Sequence, residues 1–267
     1  MVAQNLLLLL PDVDILNFNS VQMLTFCCWK TILLDDIFLV RRADMVITIG
    51  AEKGGVAKTR LATHIAALAM AEGVDVVLLD TDKQGSAMSW SRIRNEEGVA
   101  PSIPVLALPA NPARELANLA NKYTLVVVDI GAQNYRTMLE CALLSDIVLV
   151  PCGADQQEVE STLNVFSTLK DMGPRHEQGE IPAYVVLTRV SPVEGAKATS
   201  DLREYFASEG VPVFRSHIAH RAAWLATGKT GRAVHELKGK DRSKKAIDEM
   251  QAVYAEIIER INGEGVE

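Results

Sequence analysis

The stretch Lys53-Gly54-Gly55-Val56-Ala57-Lys58-Thr59 stands directly after the apolar run Met45-Val46-Ile47-Thr48-Ile49 and directly before a helical pattern. A strand that opens through glycines into a helix aims several backbone N–H groups, and the positive end of the helix, at one point. That arrangement binds phosphate. Lys58 adds a point charge for the β- and γ-phosphates, and the Thr59 hydroxyl is placed for a magnesium ion. Lys53, Gly54, Gly55, Val56, Ala57, Lys58, Thr59 and Arg60 are therefore the expected nucleotide-binding run, with ATP or ADP and Mg²⁺ as the ligands. Glu52 and Ala57 occupy positions that are usually glycine in such loops, so the strict pattern is not met.

Two carboxylates follow at the end of the next apolar run, in Leu78-Leu79-Asp80-Thr81-Asp82-Lys83-Gln84-Gly85-Ser86. Aspartates one residue apart at a strand terminus can face the phosphate loop together, or they can serve as Asx turns and helix caps. A third aspartate ends the run Leu125-Val126-Val127-Val128-Asp129 and precedes Ile130-Gly131. An apolar strand closed by aspartate suits a carboxylate that holds a magnesium-bound water.

The elements that must position these groups alternate along the chain. Apolar runs at 46–49, 76–79, 105–108, 125–128, 147–150, 184–187 and, more weakly, 213–214 are continuous rather than alternating, which suits parallel strands covered on both faces. Between the first two, Leu61, Ile65 and Leu68 form one helix face, and Gly73 is placed to end it. Asn111-Pro112 opens another helix with a cap and a first-turn proline. This order predicts an α/β fold with a doubly wound, mostly parallel sheet of the Rossmann-like P-loop NTPase kind, and ligands at the carboxyl ends of the strands.

Two lysines bracketing a double glycine mark a deviant phosphate loop, and there the chain resembles the ParA/MinD family of partition ATPases. The matching motifs run in the family's order from Met45 to about Ala233. The resemblance implies that Lys53 reaches across a dimer to the partner's nucleotide. It also implies that Asp80 and Asp129 join Thr59 in the magnesium shell, and that Asp82 positions the attacking water. The family shows Asp-x-Asp-Pro-Gln-Gly at the second motif; Lys83 replaces the proline. Thr188 stands where the family carries the asparagine that reads adenine, which leaves base specificity open.

Composition narrows the function. The 267 residues carry a net charge of −7, unlike a constitutive nucleic-acid binder. Residues 211–245 nevertheless hold nine Lys/Arg (Arg215, Arg221, Lys229, Arg232, Lys238, Lys240, Arg242, Lys244 and Lys245) against Glu236 and Asp241, a local footprint suited to phosphate backbones. Cys27, Cys28, Cys141 and Cys152 show neither metal spacing nor a disulfide framework, which points to a reducing cytoplasm. Residues 1–44 lack a strand pattern and a basic leader, and the run Leu6–Leu10 is too short to span a bilayer. They read as an extension, either an over-long start or a dispensable arm, before one domain at 45–267. The last helix, over 247–261, presents Glu256 and Glu259 on an acidic polar face, wrong for an anionic membrane.

Among the family's branches these features exclude a membrane-bound septum positioner and a metal-cluster carrier. The expected protein is an ATP-hydrolysing, Mg-dependent switch for plasmid or chromosome partitioning. It forms a homodimer when ATP-bound and then binds DNA without sequence preference through 211–245. It works with a ParB-like centromere-binding adaptor, in the nucleoid-associated cytoplasm, with no membrane partner. The alternative is a weakly hydrolysing, nucleotide-gated interaction module without DNA binding, serving conjugation or a pilus.

Overall fold

Unbroken runs of valine, isoleucine and leucine are stable as strands only where both faces of a sheet are covered. In the computed structural model, which describes residues 45–107, 112–193 and 195–263, all seven expected runs pair into one sheet. The strands are β1 (Met45–Ile49), β2 (Val76–Asp80), β3 (Val105–Ala107), β4 (Leu125–Asp129), β5 (Ile147–Cys152), β6 (Ala183–Val190) and β7 (Val213–Ala219). Their order is β3-β2-β4-β1-β5-β6-β7, and every pairing is parallel. The connecting helices are α1 (Lys58–Ala71), α2 (Ser86–Glu96), α3 (Pro112–Ala120), α4 (Tyr135–Ala142), α5 (Gln156–Met172), α6 (Lys197–Ser208), α7 (Ala223–Thr230) and α8 (Lys244–Ile261). The expectations for 1–44 with its two cysteines, for Leu108 and for the Asn111 cap lie outside the described residues.

Successive strand residues point to opposite faces. Ile47, Leu78, Val127 and Leu149 pack under α1, α2, α7 and α8. Val46, Val77, Val126 and Val148 pack under α3, α4 and α5. Both layers are clusters of buried apolar residues, and the two cysteines described, Cys141 and Cys152, are buried free thiols. Burial pushes the Cys141 thiol up to about 12 and the Cys152 thiol up to about 11. No helix among the described residues is long and apolar enough to cross a membrane.

The order of strands reverses beside β1, which lies between β4 and β5. A crevice opens at the carboxyl ends of the strands at such a switch point. Asp80 of β2 and Asp129 of β4 are register partners there.

Strand β7 is the sheet edge, and one residue of β6 opposes three of β7 between the pairs Val185–Val213 and Leu187–His217. The bulge strands backbone groups at 214–216, and side chains satisfy them. Glu256 of α8 accepts from the Arg215 N–H at 2.9 Å and from the Ser216 N–H at 2.9 Å and hydroxyl at 2.8 Å. Arg203 donates to the carbonyls of Phe214 and Arg215 at 3.2 and 2.9 Å. Glu256, expected on the solvated face of the last helix, is thus only 4 % exposed. The correction has a plain cause: a carboxylate with three donors is more stable buried on a bulge than a bare bulge is.

Burial raises the Glu256 carboxyl, but its bonds to the backbone of Ser216 and Arg215 and to Arg260 outweigh that and hold it below the ordinary 4.5. A lowered folded pKa means that its stabilisation is complete above the ordinary value and is lost as pH falls through the folded one. Glu256→Ala should therefore destabilise the domain by about 2–4 kcal/mol at pH 7. The gap to wild type should shrink below pH 4.5 in urea melts. An equal gap at both pH values would refute this role.

Candidate nucleotide site

A phosphate loop needs backbone that few residues adopt. Gly55 has φ 77° and Ala57, at the N-cap of α1, has φ 75°. Glycine enters this left-handed region freely; for an alanine it costs about 1–2 kcal/mol. The strain is held by contacts around the loop. The Lys58 ammonium donates to the Lys53 carbonyl at 2.6 Å, and Glu52 accepts from the Ser161 hydroxyl of α5 at 2.7 Å. No side chain caps α1, and its first turn holds no carboxylate. The first-turn N–H groups are thus left to a ligand.

Beneath this loop Asp129 is 1 % exposed, and neither carboxylate oxygen has a hydrogen-bond partner among the described residues. Burial pushes its pKa up to about 7; the Thr59 hydroxyl and Lys58 pull it down, and Asp80 and Asp82 push it up. Burial likewise lowers the Lys58 ammonium, while Asp129 and Asp82 raise it. A buried carboxylate with open oxygens beside a threonine hydroxyl fits a hard divalent cation. Thr59 and Asp129 are the residues that would hold magnesium.

Asp80, expected in the same shell, has both oxygens engaged by backbone N–H groups. Its Oδ1 accepts from the Asp82 N–H at 3.0 Å. Its Oδ2 accepts from the N–H groups of Ala87 and Met88 at 2.8 and 3.0 Å. The carboxylate caps α2 from the end of β2, because the helix begins only six residues later and its amides point back at the strand. Asp129 is the open carboxylate of the pair.

Asp82 lines a cleft of about 720 Å³ together with Gly54, Gly55, Ala57, Lys58, Thr59 and Arg60. The structure brings these expected residues together. Lys53 is exposed and not part of the cleft wall, where it contributes only the carbonyl that Lys58 holds. Val56 is buried under the loop. Thr188 is fully buried in β6, and its hydroxyl donates to the Val56 carbonyl at 3.0 Å. It braces the loop from below instead of facing the cleft.

Three residues that sequence reasoning left without a role tie the two sides of the cleft together. The Gly131 N–H donates to the Thr81 hydroxyl at 2.8 Å, and the Asn134 amide donates to the Thr81 carbonyl. A Cβ on Gly131 would lie 3.0–3.1 Å from the Cα, Cβ and Cγ of Asp82, so a side chain there would push the Asp82 turn away by a few tenths of an ångström. The glycine after the strand-ending aspartate was the one legible signal.

A model of the CobQ/CobB/MinD/ParA nucleotide-binding domain matches residues 47–233. The chain belongs to this family. The maintenance of carboxysome distribution protein A of Gloeobacter kilaueensis is 30% identical over 224 residues, covering 81% of this chain and 94% of that protein. Protein ParA of Rhizobium radiobacter is 23% identical over 217 residues, covering 80% and 95%. A Cyanothece McdA variant in complex with ATP shares the fold at TM-score 0.61, with 14% identity over 85% of this chain and 99% of that one. The ParA/MinD resemblance and the doubly wound sheet read from the sequence are thereby both borne out.

For this family member the Thr188 contact makes a sharp expectation. Thr188→Val should weaken ATP and GTP binding by the same factor and lower stability by about 1 kcal/mol, one lost hydrogen bond. A changed ATP-to-GTP preference in competition titrations would instead put Thr188 at the base.

Proposed function

We propose that this ParA/MinD-family protein is a Mg-dependent ATPase whose ATP-bound homodimer binds DNA without sequence preference, as a positioning switch for a plasmid or chromosome. The observation that carries this reading is the open, buried Asp129 carboxylate beside Thr59 and Lys58, under the uncapped end of α1. Phosphoryl transfer asks the protein for positioning and charge neutralisation and for no covalent step. Lys58 and the α1 amides take the phosphates. Asp82, on the facing wall, orients the attacking water. When bound between Thr59 and Asp129, magnesium supplies further neutralisation of the phosphate oxygens.

The dimer reading is supported by Lys53. It is exposed and off the cleft wall of its own chain, while the resemblance assigns it to a partner's nucleotide. The DNA reading gains and loses from the structure. Arg215 pairs with Glu259 and Arg221 with Glu249, so the basic footprint contracts from 211–245 to its later part. There Lys238, Lys240, Arg242 and Lys244 are exposed. Lys244 and Lys245 open α8, against the helix dipole, at about 0.3–1 kcal/mol each. Cations placed at an unfavourable helix end suit an external polyanion such as a DNA backbone. A ParB-like adaptor and a place on the nucleoid follow from the same reading.

Phosphate release and sedimentation test the switch. Asp82→Ala should lower turnover about 10²-fold, the usual share of a proton-handling group, while trapping an ATP-bound dimer. Lys58→Ala should lose ATP binding itself, and Lys53→Ala should bind ATP without dimerising. Unchanged hydrolysis in Asp82→Ala favours the rival, a nucleotide-gated interaction module.

Charge reversal at Lys238, Lys240 and Arg242 should weaken DNA binding and leave ATP binding alone. In wild type, binding should require ATP and fall with log salt at a slope of about 0.9 per phosphate contact. Strong preference between two unrelated duplexes in a gel-shift titration would contradict the reading.

A further inference from the structure

The turn that carries Asp82 is closed by the Gly85 N–H, which donates to the Asp82 carbonyl at 2.9 Å. Gly85 has φ 62°, and the Gln84 N–H donates to Asp82 Oδ1 at 2.9 Å. Lys83 is the first corner of this four-residue turn, the position where a φ near −60° is wanted and proline is favoured. Among the described residues neither its N–H nor its ammonium makes a hydrogen bond or ion pair, and the side chain is exposed. The turn's own geometry therefore gives no reason for a lysine.

The cleft gives one. Lys58 and Arg60 stand on the phosphate-loop side, and Asp82 and Lys83 stand on the other. Phosphates lying along the loop are served by Lys58 and the α1 amides. The facing wall, where Asp82 would hold water, meets the end of the phosphate chain. Asp82 alone would place a negative charge against that end, and Lys83 is the cation beside it. We propose that Lys83 is a specificity-determining residue that contacts the terminal phosphate and distinguishes a nucleoside triphosphate from a diphosphate. The proposal rests on the nucleotide reading above and extends it to a residue that reading leaves unused.

Equilibrium titration of the full-length protein with ATP and with ADP tests it, using Lys83→Pro and Lys83→Arg. Proline suits the corner, so Lys83→Pro removes the charge and keeps the turn; Lys83→Ala replaces it should the proline variant fail to fold. The loss of charge should weaken ATP binding roughly three- to tenfold, the scale of one partly screened charge contact. ADP binding should change less than about twofold, Lys83→Arg should stay near wild type, and the ATP effect should fade in 0.5 M salt. Equal losses for ATP and ADP, or no loss for either, overturn this inference while wild-type binding upholds the nucleotide reading. A wild-type protein that binds neither nucleotide sinks both.

Discussion

An ionised carboxylate buried without a partner is among the most expensive features a fold can hold. Asp129 is a carboxyl group buried with neither oxygen hydrogen-bonded among the described residues, and much of the site is arranged around it. Its pKa, pushed up to about 7, shows burial prevailing over the help of Thr59 and Lys58. The N-terminus of α1 and the lysine face the same small volume. Anion and cation sites are thus stacked at one strand end. Each is poorly compensated by the protein, and each would be relieved by a phosphate and a divalent ion bound together.

The walls around that volume are tied to the rest of the molecule by short polar links. Asp80 fastens α2 to β2, and Thr81 joins the Asp82 turn to the loop after β4. At its far end α2 is fastened again. Arg94, 1 % exposed, donates to both oxygens of Glu236 at 2.7 Å and to the carbonyls of Gly231 and Pro101 at 3.1 and 3.0 Å. A Cβ on Gly231 would lie 2.2 Å from the Arg94 nitrogen, so glycine is obligatory there. Removing either partner would leave an uncompensated buried charge, which makes such a pair costly to break. The segment that leads to the exposed cations at 238–244 is therefore seated against the helix that starts at the cleft.

Charge behaves locally here. A chain with net charge −7 still presents a run of exposed cations, because carboxylates elsewhere are drawn into structural work. Glu256 closes the β7 bulge, Glu249 receives the Ala219 N–H, and Glu236 meets Arg94. The same process pairs off the charges of Arg215 and Arg221 within the basic footprint. Net charge counts all of these equally; a partner meets only what remains on the surface.

Local order was legible from the sequence. Seven apolar runs became seven strands: for the inner five, a run buried on both faces needs no knowledge of its neighbours, while the edge strands β3 and β7 stay partly exposed. The phosphate loop, its lysines and the three strand-end aspartates were legible because a glycine turn between strand and helix is specified within about ten residues. The tertiary structure decided what depends on groups distant in the chain. β4 and β5 flank β1, so Asp129 lies by Thr59. Asp80 meets the amides of α2 and becomes a cap. Thr188 meets Val56 across 132 residues, and Glu256 meets a bulge that no periodicity announces. A side chain's type states which bonds it can make; only the packed fold states which donor or acceptor reaches it first.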